Sequence, residues 1–219
     1  MIGAVPDLIT EQADTAAEVW KIFLIIAVAV FALILLLVLY IVIRFRRRSD
    51  AMPQQTHYRI PIEIAYTLVP FLLVIGLFVI TVNSINSIEA KAADPDLEVH
   101  ILGSQWQWQF TYPESGVVVG GDDTPRPVLV LPAGQSVRFE LTSADVIHSF
   151  WVPGFLFKRD VIPGSPTSFD VDMKQTKGTW ESGVCAEFCG LYHDRMDFAV
   201  SVVSPEDFEE WLAEQEGRS

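Results

Sequence analysis

The chain has 219 residues, half of them hydrophobic, and a formal net charge of −13. That apolar content excludes an intrinsically disordered chain, and two cysteines are too few for a disulfide-dense scaffold. The charge is uneven: residues 1–88 hold six acids and six bases, whereas residues 89–219 hold 22 acids against nine bases, which excludes nucleic-acid binding through a basic face.

Residues 1–20 lack a basic segment followed by an apolar core, so no cleavable signal peptide is expected there. Ile22 to Ile43 then runs 22 residues without a charge. As a helix it would be ~33 Å long, enough to cross a hydrocarbon core of about 30 Å. Ile64 to Val82 is a second uncharged run, of 19 residues, with Pro70 and Gly76 inside it, residues that membrane helices tolerate. Both runs exceed the usual length of a buried core helix, the competing reading. The loop between them holds Arg44, Arg46, Arg47, Arg48 and Arg59 against Asp50 and Glu63, while the tail before Lys21 has four acids and no base. The positive-inside rule therefore puts the loop in the cytoplasm and both termini outside. The expected organisation is a tail and transmembrane hairpin over residues 1–88 (spans about 22–43 and 64–82) and an outer domain over residues 89–219.

Residues 83–96 read as a polar linker. Beyond it, short runs suit β-strands: Leu97–Leu102, Gln105–Thr111, Val128–Leu131, Ser136–Thr142, Thr167–Met173 and Phe198–Val203. Glycine and proline pairs punctuate them, which suggests a β-sandwich or barrel. One helix closes the chain. Ser204 suits its N-cap, Pro205 its first turn and Asp207 a capping acid, with Phe208, Trp211 and Leu212 as an apolar stripe.

The strongest local signal is Cys185-Ala-Glu-Phe-Cys189-Gly-Leu-Tyr-His193-Asp-Arg-Met196. Thiolate and thioether are soft donors and, with imidazole, favour copper. Zinc is the chemical competitor, but structural zinc sites commonly use C-x2-C units and rarely Met. A single blue-copper centre needs one Cys and two His, so a second thiol makes a bridged metal pair more natural. That pair needs another imidazole. His148 follows a predicted strand, whereas His100, inside a strand run, reads as a packing or surface residue. A Cys185–Cys189 disulfide is the non-metal alternative; Met196 alone would be core.

With these residues in place, the sequence closely resembles the subunit II family of haem–copper cytochrome c oxidases. The resemblance covers nearly the whole chain, and its specific mark is a histidine in V-I-H-S followed by C-x-E-x-C-G-x-x-H-x-x-M. It implies a two-helix transmembrane hairpin followed by an all-β cupredoxin-like (Greek-key) outer domain with a C-terminal helix. It also implies a mixed-valence dinuclear copper centre, CuA. There Cys185 and Cys189 would bridge both metals, His148 and His193 supply one imidazole each, Met196 stand as a weak axial ligand and Glu187 give its carbonyl oxygen. The Glu187 side chain would reach a magnesium ion at subunit I. Gln105-Trp106-Gln-Trp108-Gln-Phe110 resembles the family's aromatic segment, in which the residue matching Trp106 receives electrons from cytochrome c. The family often has tyrosines where Gln107 and Phe110 stand. By the period of two, Trp106 and Trp108 share one strand face.

Glu63, seven residues before Pro70, matches the acid at the mouth of a proton channel into subunit I, and Asp160 matches a segment facing that subunit. The resemblance thus implies electron transfer from cytochrome c, or a tethered c-type cytochrome, through CuA to haem in subunit I, coupled to oxygen reduction and proton pumping. Subunits I and III and the lipid bilayer are the implied partners, and a bacterial plasma membrane the implied location. Acid steering of a basic cytochrome would use Glu114, Asp122, Asp123, Asp145 or Asp194. The alternatives are a CuA-bearing subunit of a nitric-oxide reductase and a membrane-anchored copper-delivery protein.

Overall fold

The computed structural model describes residues 7–47, 52, 55, 57–121 and 126–217, and within residues 179–182 the backbone alone. Arg48, Asp50, Asp122 and Asp123 lie outside the described residues. Two compact units are resolved among the described residues: 17–86 form one, and 7–16 with 87–217 form the other.

The first unit is helical. Helices α1 (Glu11–Arg44) and α2 (Ile60–Ile88) are long and apolar enough to cross a membrane, and their most hydropathic windows bury nothing inside the protein. They would measure ~51 and ~44 Å, longer than the apolar runs alone. Residues 83–88, expected as linker, continue α2. Pro70 lies within α2 without ending it.

The second unit is a sandwich of two five-stranded sheets. Its strands are β1 (Leu97–Ser104), β2 (Gln107–Tyr112), β3 (Val117–Gly120), β4 (Val128–Pro132), β5 (Ser136–Ser143), β6 (His148–Val152), β7 (Phe157–Val161), β8 (Thr167–Asp172), β9 (Gly178–Cys185) and β10 (Asp197–Val203). They order as β3-β2-β1-β5-β8 and β4-β10-β9-β6-β7. The β1–β5 and β4–β10 pairs are parallel, so the chain must cross over between them, as in Greek-key sandwiches. Alternation is clean in β2, where Trp108, Phe110 and Tyr112 are buried and the residues between them are not. Phe139 and Trp108 of one sheet meet Phe150 and Phe198 of the other, with Phe150 stacked on Phe198 at 5.0 Å. Tyr112 crosses the sandwich to β4, where its hydroxyl donates to Val130 O and accepts from Val130 N. Helix α3 (Pro205–Glu216) is capped as expected: Ser204 Oγ accepts from Asp207 N, and Phe208 is buried.

Two segments outside the strands complete this unit. Ile9, Thr10 and Ala13 are buried. Thr10 bridges Met173, Ile9 exchanges backbone hydrogen bonds with Gly154 and Lys174, and the Gln12 amide pairs with both the backbone N and the carboxylate of Asp172. Residues 7–16, expected to go with the hairpin, are therefore tied to the β-unit at the end of β8 and the residues that follow it. After α2, Ala92 is held by Asp170 and Arg138, which form a close ion pair of their own at 2.7 Å. The Asp170 carboxyl is strongly desolvated, yet the Arg138 guanidinium and the Ala92 N–H outweigh this and hold it below the usual carboxylate range.

Candidate metal centre

One end of the sandwich brings the sulfur and imidazole donors together. Cys185 ends β9, His148 opens β6, and Phe150 of β6 pairs with Cys185 across the sheet. This neighbouring of β6 and β9 is what brings His148 to a cysteine 37 positions later. The chain after β9 turns over the sandwich end. Cys189 lies in that turn, His193 begins a short 3-10 helix (His193–Arg195), and Met196 precedes β10. The loop is closed at its base by a hydrogen bond from Cys185 N to Met196 O and fixed to β6 by one from Ala186 N to Ser149 O.

The two Sγ atoms are 3.9 Å apart and both cysteines are free and buried. A disulfide would need about 2.05 Å, so the disulfide alternative is not realised. His148 Nδ1 stands 3.9 Å from Cys185 Sγ, and His193 Nδ1 stands 3.5 Å from Cys189 Sγ. Met196 Sδ is 3.7 Å from Cys189 Sγ, and the Cys185 thiol donates to the Glu187 carbonyl at 3.2 Å. His148, Cys185 and Cys189 thus place their donor atoms within 4.8 Å of one another, while His193, Met196 and the Glu187 carbonyl each adjoin one of the two sulfurs. The Glu187 side chain itself belongs to an exposed residue.

The donor set favours bound positive charge on electrostatic grounds. Burial opposes ionisation of both thiols. At Cys185, the His148 ring and backbone hydrogen bonds at Ser149 and Glu187 outweigh it and bring the thiol down to about 7. At Cys189, burial and the neighbouring Cys185 charge push the thiol up to about 12. Protein groups alone therefore supply one thiolate readily and resist the second. Two thiolates here require positive charge between them, which bound metal provides while releasing the protons.

His148 is completely buried, and its Nε2 lies 2.8 Å from Asp145 Oδ1. The ring is thereby oriented: Nε2 carries its proton toward the carboxylate, and Nδ1 faces the sulfurs. Asp145, expected among solvated docking acids, is exposed and also engages His148, Gln105 N and Val146 N. The D-x-x-H spacing was the available sequence signal. Glu114 lies past the far end of β2 from Trp106, beside α3. Asp194 is exposed next to His193. His100 is likewise apart from the centre, exposed and 2.7 Å from Glu98.

The two tryptophans differ from the expectation of a shared face. Residues 105 and 106 form the turn between β1 and β2, with a cis peptide joining them. The turn lifts Trp106 out of the strand. Its indole is half-buried, packs edge-on against Tyr192 at 4.9 Å and donates from Nε1 to Cys189 O at 3.2 Å. Trp108 is wholly buried beside His148 and donates to Met196 O. Gly190, at φ +121°, lies beneath the turn, where a Cβ would come within 3.0 Å of the Gln105 amide. Glu63 is remote in sequence, in the first turn of α2, where it accepts from the Arg59 N–H as a helix cap. Asp160 is an exposed residue of β7 opposite Ser149.

Comparison with known proteins agrees with this architecture. The cytochrome c oxidase subunit II transmembrane-domain model matches residues 4–86, and the periplasmic-domain model of the same subunit matches residues 123–203. A probable cytochrome c oxidase subunit 2 of Streptomyces avermitilis is 38% identical over 94% of this chain and 77% of its own. The cytochrome c oxidase subunit 2 of Mycobacterium tuberculosis is 32% identical over 96% of this chain and 74% of its own. The crystal structure of the periplasmic domain of cytochrome oxidase subunit II from Bradyrhizobium japonicum superposes with a TM-score of 0.52 at 28% identity, covering 58% of this chain and 99% of that one. The chain belongs to the cytochrome c oxidase subunit II family and is a subunit of a haem–copper oxidase.

Proposed function

We propose that this subunit receives electrons from a c-type cytochrome at a dinuclear copper centre, CuA, and delivers them to haem in subunit I. Oxygen is reduced there with proton pumping. The observation that carries this reading is the pair of buried, unbonded sulfurs at 3.9 Å, each with its own imidazole. Cys185 and Cys189 would bridge, His148 and His193 would take one copper each, and Met196 and the Glu187 carbonyl would be weaker ligands. When bound, such a thiolate-bridged pair supplies one-electron redox chemistry with the charge change shared over two metals.

The chain's own residues supply rigidity, orientation and exclusion of water. Asp145 holds the His148 ring in one orientation, and the Trp108 indole walls off its face. The β6–β9 ladder and the Cys185–Met196 backbone bond keep the ligands from rearranging between redox states, the outer-shell contribution expected at such a site. Trp106 is the residue through which electrons would enter: its indole is only half-buried and its Nε1–H reaches the carbonyl of Cys189. The Glu187 side chain would meet magnesium at the subunit I contact, and Glu63 would stand at the mouth of a proton channel. Subunit III and the bilayer complete the surroundings. The β-unit would face outward from a bacterial plasma membrane, as the arginine-rich loop requires.

The order of reduction tests this reading. On rapid mixing of the intact oxidase with reduced cytochrome c, the copper absorption should bleach before the haem of the partner subunit is reduced. Haem reduction with no preceding copper phase contradicts it.

A further inference from the structure

The β1–β2 turn makes two contacts with the ligand loops besides that of Trp106, and both come from Gln105. Its backbone N–H donates to Asp145 Oδ2 at 2.7 Å, while the other oxygen of that carboxylate holds His148 Nε2. Its side-chain Nε2 donates to Cys189 O at 2.7 Å, the carbonyl that also accepts from Trp106 Nε1. One residue therefore ties three chain segments that are distant in sequence: the turn bearing Trp106, the loop before β6 and the loop after β9.

We propose that Gln105 is a positioning residue: its amide latches the Trp106 turn onto the Cys189 loop and so sets both the electron path and the retention of copper. This rests on the CuA reading above and deepens it. The geometry favours a latch over a docking contact. Although Gln105 is an exposed residue, its amide is directed at a main-chain carbonyl within the protein, and the glycine at 190 keeps that contact uncrowded: a Cβ there would stand 3.0 Å from Gln105 Nε2 and 3.2 Å from the Trp106 ring. The Cys189 carbonyl thereby receives two donors. Without the amide, the indole N–H would be its only side-chain donor from the turn, and the turn would be free to tilt away from the loop.

Gln105→Met, made in the intact oxidase, keeps side-chain length and the backbone N–H but removes the amide donor. The expected result is a retained paired-copper spin-resonance pattern, an unchanged KM for cytochrome c, and copper reduction slowed by about tenfold. Copper release to a chelator should accelerate by a similar factor, the scale on which outer-shell contacts act. Gln105→Asn, whose shorter amide cannot span the contact, should behave alike and serves if the Met variant is isolated without copper. A raised KM with normal reduction and normal copper release would overturn the proposal and make Gln105 a docking residue. Normal values of all three would also overturn it. If the unsubstituted oxidase itself lacks the paired pattern, it is the CuA reading that fails.

Discussion

The ligand-bearing end and the middle of the sandwich are ordered by different forces. The middle is aromatic and dry: Trp108, Phe110, Phe139, Phe150 and Phe198 are fully buried and touch across the two sheets. The ligand end is a set of loops held by polar contacts, many of them between side chains and backbone. Next to it, Phe188 and Leu191 are left largely exposed. The middle therefore supplies folding free energy in proportion to buried apolar area. The ligand end supplies geometry, and its charge balance would be completed by the proposed metal. Stability and metal chemistry should consequently respond to different substitutions.

The largest expected effect is at the Cys189 sulfur. Cys189→Ser should abolish the paired-copper spectrum altogether while the sandwich remains folded by circular dichroism; a variant with unaltered spin resonance would remove the bridging role. Trp106→Ala should slow copper reduction by cytochrome c about tenfold, again the scale of outer-shell contacts, with copper absorption intact. A normal rate would show that electrons enter elsewhere. In the middle the pattern should invert. Phe198→Ala should cost about 3–5 kcal/mol in denaturant unfolding of the β-unit, as large-to-small core changes do, yet leave the copper spectrum unchanged in molecules that remain folded. Loss of the spectrum before unfolding would mean that the two regions are not separable.

The smallest effect tests how residue 92 is tied to the sheet. Asp170 is held below the ordinary carboxylate range chiefly by Arg138, against the cost of its burial. Its contribution is therefore fully present above the unfolded value of about 3.9 and is lost as pH falls through the lower folded value. Asp170→Asn should be less stable than the parent at neutral pH, and the gap should close on acidification below about pH 4. A gap independent of pH would assign the effect to packing and not to the Arg138 pair.

Much of this was legible in the sequence because it was local. The two spans announce themselves by length, the helix cap by Ser204-Pro205, and the ligands of the second loop by the spacing from Cys185 to Met196. What escaped depends on contacts between distant segments. Strands β3, β6, β7 and β9 are short or mixed in polarity, and their identity comes from pairing; His148 joins the centre only because β6 lies beside β9. Ile9 and Ala13 look like ordinary residues of an acidic tail until they are found buried, with Ile9 bonded to Gly154 and Lys174. Asp145 reads as one acid among 28, and only its position beside His148 gives it another role. Period-two reasoning failed at Trp106 because the strand begins one residue later, after a turn.

The central claim is that two thiolates of this chain jointly hold a pair of copper ions. Electron spin resonance of the copper-loaded protein tests it most directly. An unpaired electron shared equally by two copper nuclei gives a seven-line hyperfine pattern, which is the result expected here. Four lines, the signature of an electron confined to one copper, would contradict it.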